Sequence, residues 1–257
     1  MDLQLRGKIA IVTGASRGIG LAIAQELAAE GMHVVLAARS KEAMEQLAKT
    51  LPTESLVCAL DLRDPQAPAE LIAAAQARFG QIDVLVNNAG ATRRGDFLAL
   101  EDEAWADGFA LKFFGAMRCC RAAWPWLVAA HGSIVNIAGI GGRTASAEFS
   151  IGGAVNAALL NLTKSLADRG VKDGVRVNAI NPGSITTERL QTRIRTYAAE
   201  HRLELAEAGQ QLAKSMGIAR FGTPEEIARS VAFLASPQNG YIQGSVLDID
   251  GGQTRTL

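Results

Sequence analysis

The chain has 257 residues, 48% hydrophobic and 20% charged, a core-forming composition of a size that one α/β domain can reach. Lys plus Arg and Asp plus Glu balance at 26 each, so no excess of basic charge calls for nucleic acid or a membrane surface. Cys58, Cys119 and Cys120 have neither the even count of a disulfide framework nor metal-ligand spacing.

Short apolar strands alternate with helical segments. Residues 9–13 read as a buried strand, and 18–30 carry Ile19, Ala22, Ile23 and Leu27 at helical spacing. A strand at 34–37, a helix at 41–51, a strand at 56–60, a helix at about 65–79 and a strand at 82–86 follow. A long helix over about 101–130 leads to a strand at 133–137, and a further helix ends near Arg169. Strands at 175–180 and 246–249 complete the series. The alternation predicts a parallel sheet covered on both faces. Residues 184–223 break the rhythm: polar, partly helical and attached to no strand, they read as a lid over a site. Met1-Asp2-Leu3-Gln4 lacks a signal-peptide pattern and no apolar run reaches bilayer length, so a cytoplasmic protein with no membrane contact is expected.

The first strand runs into Thr13-Gly14-Ala15-Ser16-Arg17-Gly18-Ile19-Gly20. Glycines at this spacing let the backbone turn tightly and approach a pyrophosphate, which the free N–H groups and positive dipole end of the next helix would hold. A ligand-free strand-to-helix turn is the alternative, and the position between first strand and amphipathic helix favours the dinucleotide.

This segment resembles the glycine motif of the short-chain dehydrogenases/reductases. Asn87-Asn88-Ala89-Gly90, Asn181-Pro182-Gly183 and Asp250-Gly251-Gly252 follow in that family's order, so the likeness spans nearly the whole chain. It implies a Rossmann-type, doubly wound sheet of seven parallel strands in a three-layer α/β/α sandwich, with residues 1–257 as a single NAD(P)-binding domain. It also implies Gly14, Ser16, Arg17, Gly18, Ile19 and Gly20 at the pyrophosphate, and Asp61 and Leu62 at the adenine. Asn87, Ala89 and Gly90 would line the cleft, and Ile185 and Thr186, after Pro182 and Gly183, would meet the nicotinamide carboxamide. An NAD site places a carboxylate at the end of the second strand, where this chain has Ala37-Ala38-Arg39-Ser40. Arg39 and Arg17 can clamp a 2′-phosphate instead, so NADP(H) is favoured over NAD(H).

The family's proton donor is a Tyr, supported by a Lys four residues on, a Ser and an Asn. By the resemblance those positions hold Gly152, Asn156, Gly139 and Lys112 respectively. The only tyrosines are Tyr197 and Tyr241, and no Lys lies between 113 and 163, so no shift of register restores a Tyr-x-x-x-Lys. Lys112 and Asn156 read as a Lys/Asn pair with its members exchanged, Lys112 supplying charge and Asn156 bonding the ribose; a solvated Lys112 is the alternative. Gly139, Gly141, Gly142, Gly152 and Gly153 read either as a roomier pocket or as a disused one. Ser146, Glu148, Ser150, Ser184, Tyr197 and His201 are the candidate substitute donors. Three functions stay open: an oxidoreductase with a non-standard proton donor, a silent dinucleotide-binding protein, and a non-redox dehydratase or isomerase.

His33, His131 and His201 have no ligand pattern, so no metal is expected. Trp105, Trp124 and Trp126 on the long helix suit either a core or, as the resemblance implies, a homodimer or homotetramer contact. Thr223-Pro224-Glu225-Glu226 reads as a helix start.

Overall fold

The computed structural model describes residues 1–255. Strands β1 (Ile9–Thr13), β2 (His33–Ala38), β3 (Ser55–Ala59), β4 (Val84–Asn87), β5 (Ser133–Ile137), β6 (Arg176–Pro182) and β7 (Val246–Ile249) form one sheet in the order β3-β2-β1-β4-β5-β6-β7. Every pairing is parallel. The inner strands read as continuous apolar runs because both faces are covered; all five residues of β1 are buried. β1, β5 and β7 have the expected bounds, and the other strands differ by one or two residues at each end; β6 runs on through Pro182.

Helices α1 (Gly18–Ala29), α2 (Lys41–Ala48) and α9 (Pro224–Ala235) cover one face, where Ile23, Leu27, Leu36 and Val231 meet. On the other face lie α3 (Ala67–Phe79), α5 (Gly115–Ala130) and α6 (Ser150–Asp173), where Leu71, Leu85, Leu127 and Ile134 meet. Complete burial of one such side chain stabilises by about 1.5–3 kcal/mol. Cys119 and Cys120 belong to this second core; burial pushes the Cys120 thiol up to about 12 and that of Cys119 higher still, so neither is a nucleophile. The chain winds from β1 out to β3 and returns to β4, so the strand order reverses at β1/β4 and opens a crevice at their C-terminal ends.

The long helix expected over 101–130 is interrupted. It consists of α4 (Asp102–Gly108), a π-helical stretch over Phe109–Phe114, and α5. The widened turn lies around Lys112, and such bulges commonly re-aim a functional side chain. Residues 184–223 contain α7 (Glu188–His201) and α8 (Leu205–Ser215), packed through Leu190, Ile194, Ala198, Ala208 and Leu212. A parallel bridge between Ile185 and Gly222 ties the two ends of this excursion to each other. At α9 the anticipated start is present in full. Thr223 Oγ1 accepts from Glu226 N–H at 3.4 Å, and a Glu226 carboxylate oxygen accepts from Thr223 N–H at 2.8 Å.

Candidate active site

The glycine turn after β1 needs its glycines for two reasons. Gly14 and Gly18 have φ of +68° and +56°, and a Cβ on Gly20 would collide with Gly14 O and Asn88 Nδ2. Thr13 Oγ1 accepts from the N–H groups of Asn88 and Ala89 at 2.9 and 3.0 Å and donates to Val86 O. Asn88 Nδ2 donates to Thr13 O at 3.0 Å. Thr13 and Asn88 therefore lock the β1 turn to the β4 turn. The sequence assigns neither a role, although Thr13 and Asn88 both stand inside recognised motifs. The start of α1 has no side-chain cap and no acid in its first turn, so its N–H groups stay open to an anion.

Asn87, at the end of β4, belongs to a buried polar chain. Its side chain is buried and donates to Asn136 Oδ1 at 2.9 Å, while Asn136 donates to Thr163 Oγ1. Asn87 Oδ1 is buried without a partner, so this polar chain is satisfied only in part. Leu62 is likewise buried in the core. Arg39 is 68% exposed and 3.8 Å from Asp61, which Arg63 also holds. Arg17 meets Glu188 at 3.3 Å, with both side chains largely exposed. The two arginines stand on separate acids, loosely enough to be drawn to a phosphate. Thr186 gives both its N–H and its hydroxyl to Gly222 O, at 2.9 and 3.0 Å, so it can offer a ligand only acceptor lone pairs.

Lys112 and Asn156 converge on one segment. Lys112 Nζ donates to Ala138 O at 2.5 Å, and its stem packs on Gly90, whose Cβ would lie 2.9 Å from Lys112 Cδ. Burial, reinforced by the Arg189 guanidinium, brings the Lys112 ammonium down to about 7. Asn156 is 3% exposed, its Oδ1 has no partner, and its Nδ2 would be 3.0 Å from a Cβ on Gly139. Gly139 itself has φ of +136°, a conformation that strains any other residue.

The glycine cluster does not make a roomier pocket. A Cβ on Gly152 would run into the Phe149 ring, one on Gly141 would come 2.8 Å from Phe149 Cε1, and one on Gly142 would come 3.0 Å from Ala157 N. Phe149 fills the space, and the Arg94 guanidinium lies over its ring at 4.1 Å. Beside it a cleft of about 490 Å³ is lined by Asp96, Phe97, Ala147, Glu148 and Ser150. Arg143 is turned away to Asp248 at 2.7 Å. Nothing in the sequence marked Phe149 or Arg94, since only packing shows which ring occupies a glycine's absent side chain.

The other candidate donors scatter. Ser150 Oγ is buried without a partner, whereas Ser184 is directed to Met216 Sδ at 3.3 Å. Tyr197 and His201 stack on each other at the far end of α7, roughly 12 Å along the axis from its first turn at 1.5 Å per residue. Among the described residues no helix is long and apolar enough to cross a membrane.

Comparison with known proteins bears on this site. The family profile described as enoyl-(acyl carrier protein) reductase matches residues 14–254. The short-chain reductase protein NovJ of Streptomyces niveus is 35% identical over 95% of this chain and 93% of its own length. The 3-oxoacyl-[acyl-carrier-protein] reductase FabG of Escherichia coli is 34% identical over 97% and 98%. The crystal structure of L-sorbose reductase from Gluconobacter frateurii, complexed with NADPH and L-sorbose, superposes with a TM-score of 0.96 at 33% identity, over the whole of both chains.

Proposed function

This chain belongs to the short-chain dehydrogenase/reductase family, and from that premise we propose that it is an NADP(H)-dependent oxidoreductase acting on a carbonyl/alcohol pair with Lys112 as its proton donor. The open start of α1 with Gly14, Ser16, Gly18 and Ile19 holds the pyrophosphate, and Arg17 and Arg39 take the 2′-phosphate. Asp61 and Leu62 border the adenine, Ala89 and Gly90 the cleft wall, and Ile185 and Thr186 the carboxamide. The L-sorbose reductase structure, which holds NADPH, supports this cofactor. When bound, the nicotinamide supplies or accepts the hydride.

The protein's task is the proton. At an ammonium pKa of about 7 the Lys112 Nζ is divided between its two forms near neutrality, so it can give a proton to a developing alkoxide or take one from an alcohol. Asn156 Oδ1 is a buried acceptor awaiting a hydroxyl, and the ribose fits it. The Lys and Asn of the family stand with their positions exchanged, and Gly139 and Gly152 take the places of the Ser and Tyr. The observation that carries the reading is the convergence of Lys112 and Asn156 on Ala138–Gly139. The assembly expected of it is a homodimer or homotetramer.

The test is NADPH oxidation with a panel of carbonyl compounds. Reduction needs the protonated amine, so its rate falls as pH rises through about 7, and alcohol oxidation rises over the same interval. Lys112→Met should lower turnover by about 100-fold or more and abolish that pH limb. An unchanged profile in this variant would remove Lys112 from the chemistry. The Phe149 ring set in the glycine pocket supports a second reading, a dinucleotide-binding protein whose substrate space is closed; NADPH binding without turnover of any carbonyl would favour it.

A further inference from the structure

Three guanidinium groups meet at the mouth of the substrate half. Arg94 comes from the loop after β4, where it is stacked on Phe149. Arg189 and Arg193 come from α7, one turn apart on the same face. Arg189 Nη2 donates to Gly90 O at 3.3 Å, which places it on the cleft wall that Lys112 also contacts. Desolvation, and after it the charges of Arg193 and Arg189, hold the Arg94 guanidinium below its ordinary value.

As structure alone this is a poor arrangement. Like charges four residues apart oppose the helix. Arg189 is the second residue of α7, at the positive end of the helix dipole. Among the described residues none of the three arginines forms an ion pair. The acid whose charge reaches Arg94 is Glu148, and one carboxylate does not balance three cations. All three side chains are exposed, but the Arg94 guanidinium is held 4.1 Å from the centre of the ring that fills the glycine pocket beside Asn156. A guanidinium held over a ring by its cationic centre still has N–H groups with which to grip a carboxylate through two bonds.

We infer that Arg94, Arg193 and Arg189 form an anion clamp, and that the substrate is a carbonyl compound carrying a carboxylate or phosphate group. The substrate's charged end lies over Phe149 between the β4 loop and α7, and its carbonyl reaches inward to Lys112. This inference rests on the oxidoreductase reading for the fate of the carbonyl, not for the binding of the anion.

The experiment titrates oxo acids of four to eight carbons, their methyl esters, and dihydroxyacetone phosphate with dihydroxyacetone, into the protein alone and with NADP⁺, where no reduction occurs. At least one acid or phosphate should bind, and its neutral counterpart at least tenfold more weakly. Arg94→Ala and Arg193→Ala should each weaken anion binding about tenfold without weakening the ester, and Arg94→Lys should restore part of it. Preference for oxo acid or for phosphate identifies the source of the charge. Esters that bind as well as acids, binding of neither, or variants that bind anions like the parent would each overturn the clamp. Anion binding without NADPH-linked reduction would leave the clamp standing and sink the oxidoreductase reading. Reduction of esters as fast as acids would do the reverse.

Discussion

The cofactor half and the substrate half of the cleft use glycine in opposite ways. At the β1 turn, Gly14 and Gly20 lie against backbone and against Asn88, which is itself tied to Thr13, so the missing side chains cannot be replaced without moving the main chain. Beside β5, Gly141 and Gly152 lie against one aromatic side chain, Phe149. One set of glycines holds a backbone shape for a ligand to meet; the other admits a ring and shrinks the space it borders. A glycine count cannot tell these apart, because the difference lies in which atom stands where the Cβ would be.

Substitutions sharpen the contrast. Gly20→Ala should be the most damaging: the new methyl strikes Gly14 O, backbone that cannot yield alone, so a loss of about 1–3 kcal/mol in denaturant unfolding and of NADPH binding by calorimetry is expected. Arg39→Asp comes next. It removes a cation and adds a charge facing the 2′-phosphate, so the NADPH preference over NADH should fall by tenfold or more, as loss of a charge-assisted bond of about 1.5–3 kcal/mol requires. Thr223→Ala, remote from both halves, should cost about 1 kcal/mol of stability and leave cofactor affinity unchanged. Gly152→Ala should be mildest. Its methyl meets only a side chain that can rotate away, and a helical Ala recovers roughly 0.5–1 kcal/mol, so a melting temperature within a few degrees of the parent is expected. Equal damage from Gly20→Ala and Gly152→Ala would break the comparison.

Acid sharpens it differently. The Arg220 guanidinium and the Thr223 N–H hold the Glu226 carboxyl down at about 2, against an ordinary value of 4.5. Its support of the α9 cap is therefore present above about 4.5 and is lost as pH falls towards 2, whereas the Lys112 limb lies near 7. Activity should thus respond to pH around neutrality while the fold stays intact, checked by following circular dichroism beside the rate.

Much of the architecture was legible in the sequence because it depends on local pattern. Apolar runs of four to six residues between amphipathic helices imply buried parallel strands, and glycines between the first strand and first helix imply a tight turn. The Thr223 start of α9 was readable for the same reason: cap, Pro and acids lie within four residues. The exclusion of a Tyr-x-x-x-Lys is likewise a property of the sequence, since neither tyrosine lies before residue 197.

How residues far apart in the chain meet follows from packing and not from local pattern. Asn87 turns beneath the sheet because Asn136, forty-nine positions away, accepts its amide hydrogen. Phe149, the residue just before α6, sets its ring against Gly152 and also against Gly141 from the loop after β5, and Arg94 covers that ring from the loop after β4. Lys112 reaches Ala138 O because a π-helical stretch lies where a regular helix was expected, and the burial that follows sets its pKa. Sequence patterns report which faces are apolar; packing decides which polar groups are left facing one another, and the proposed chemistry depends on those.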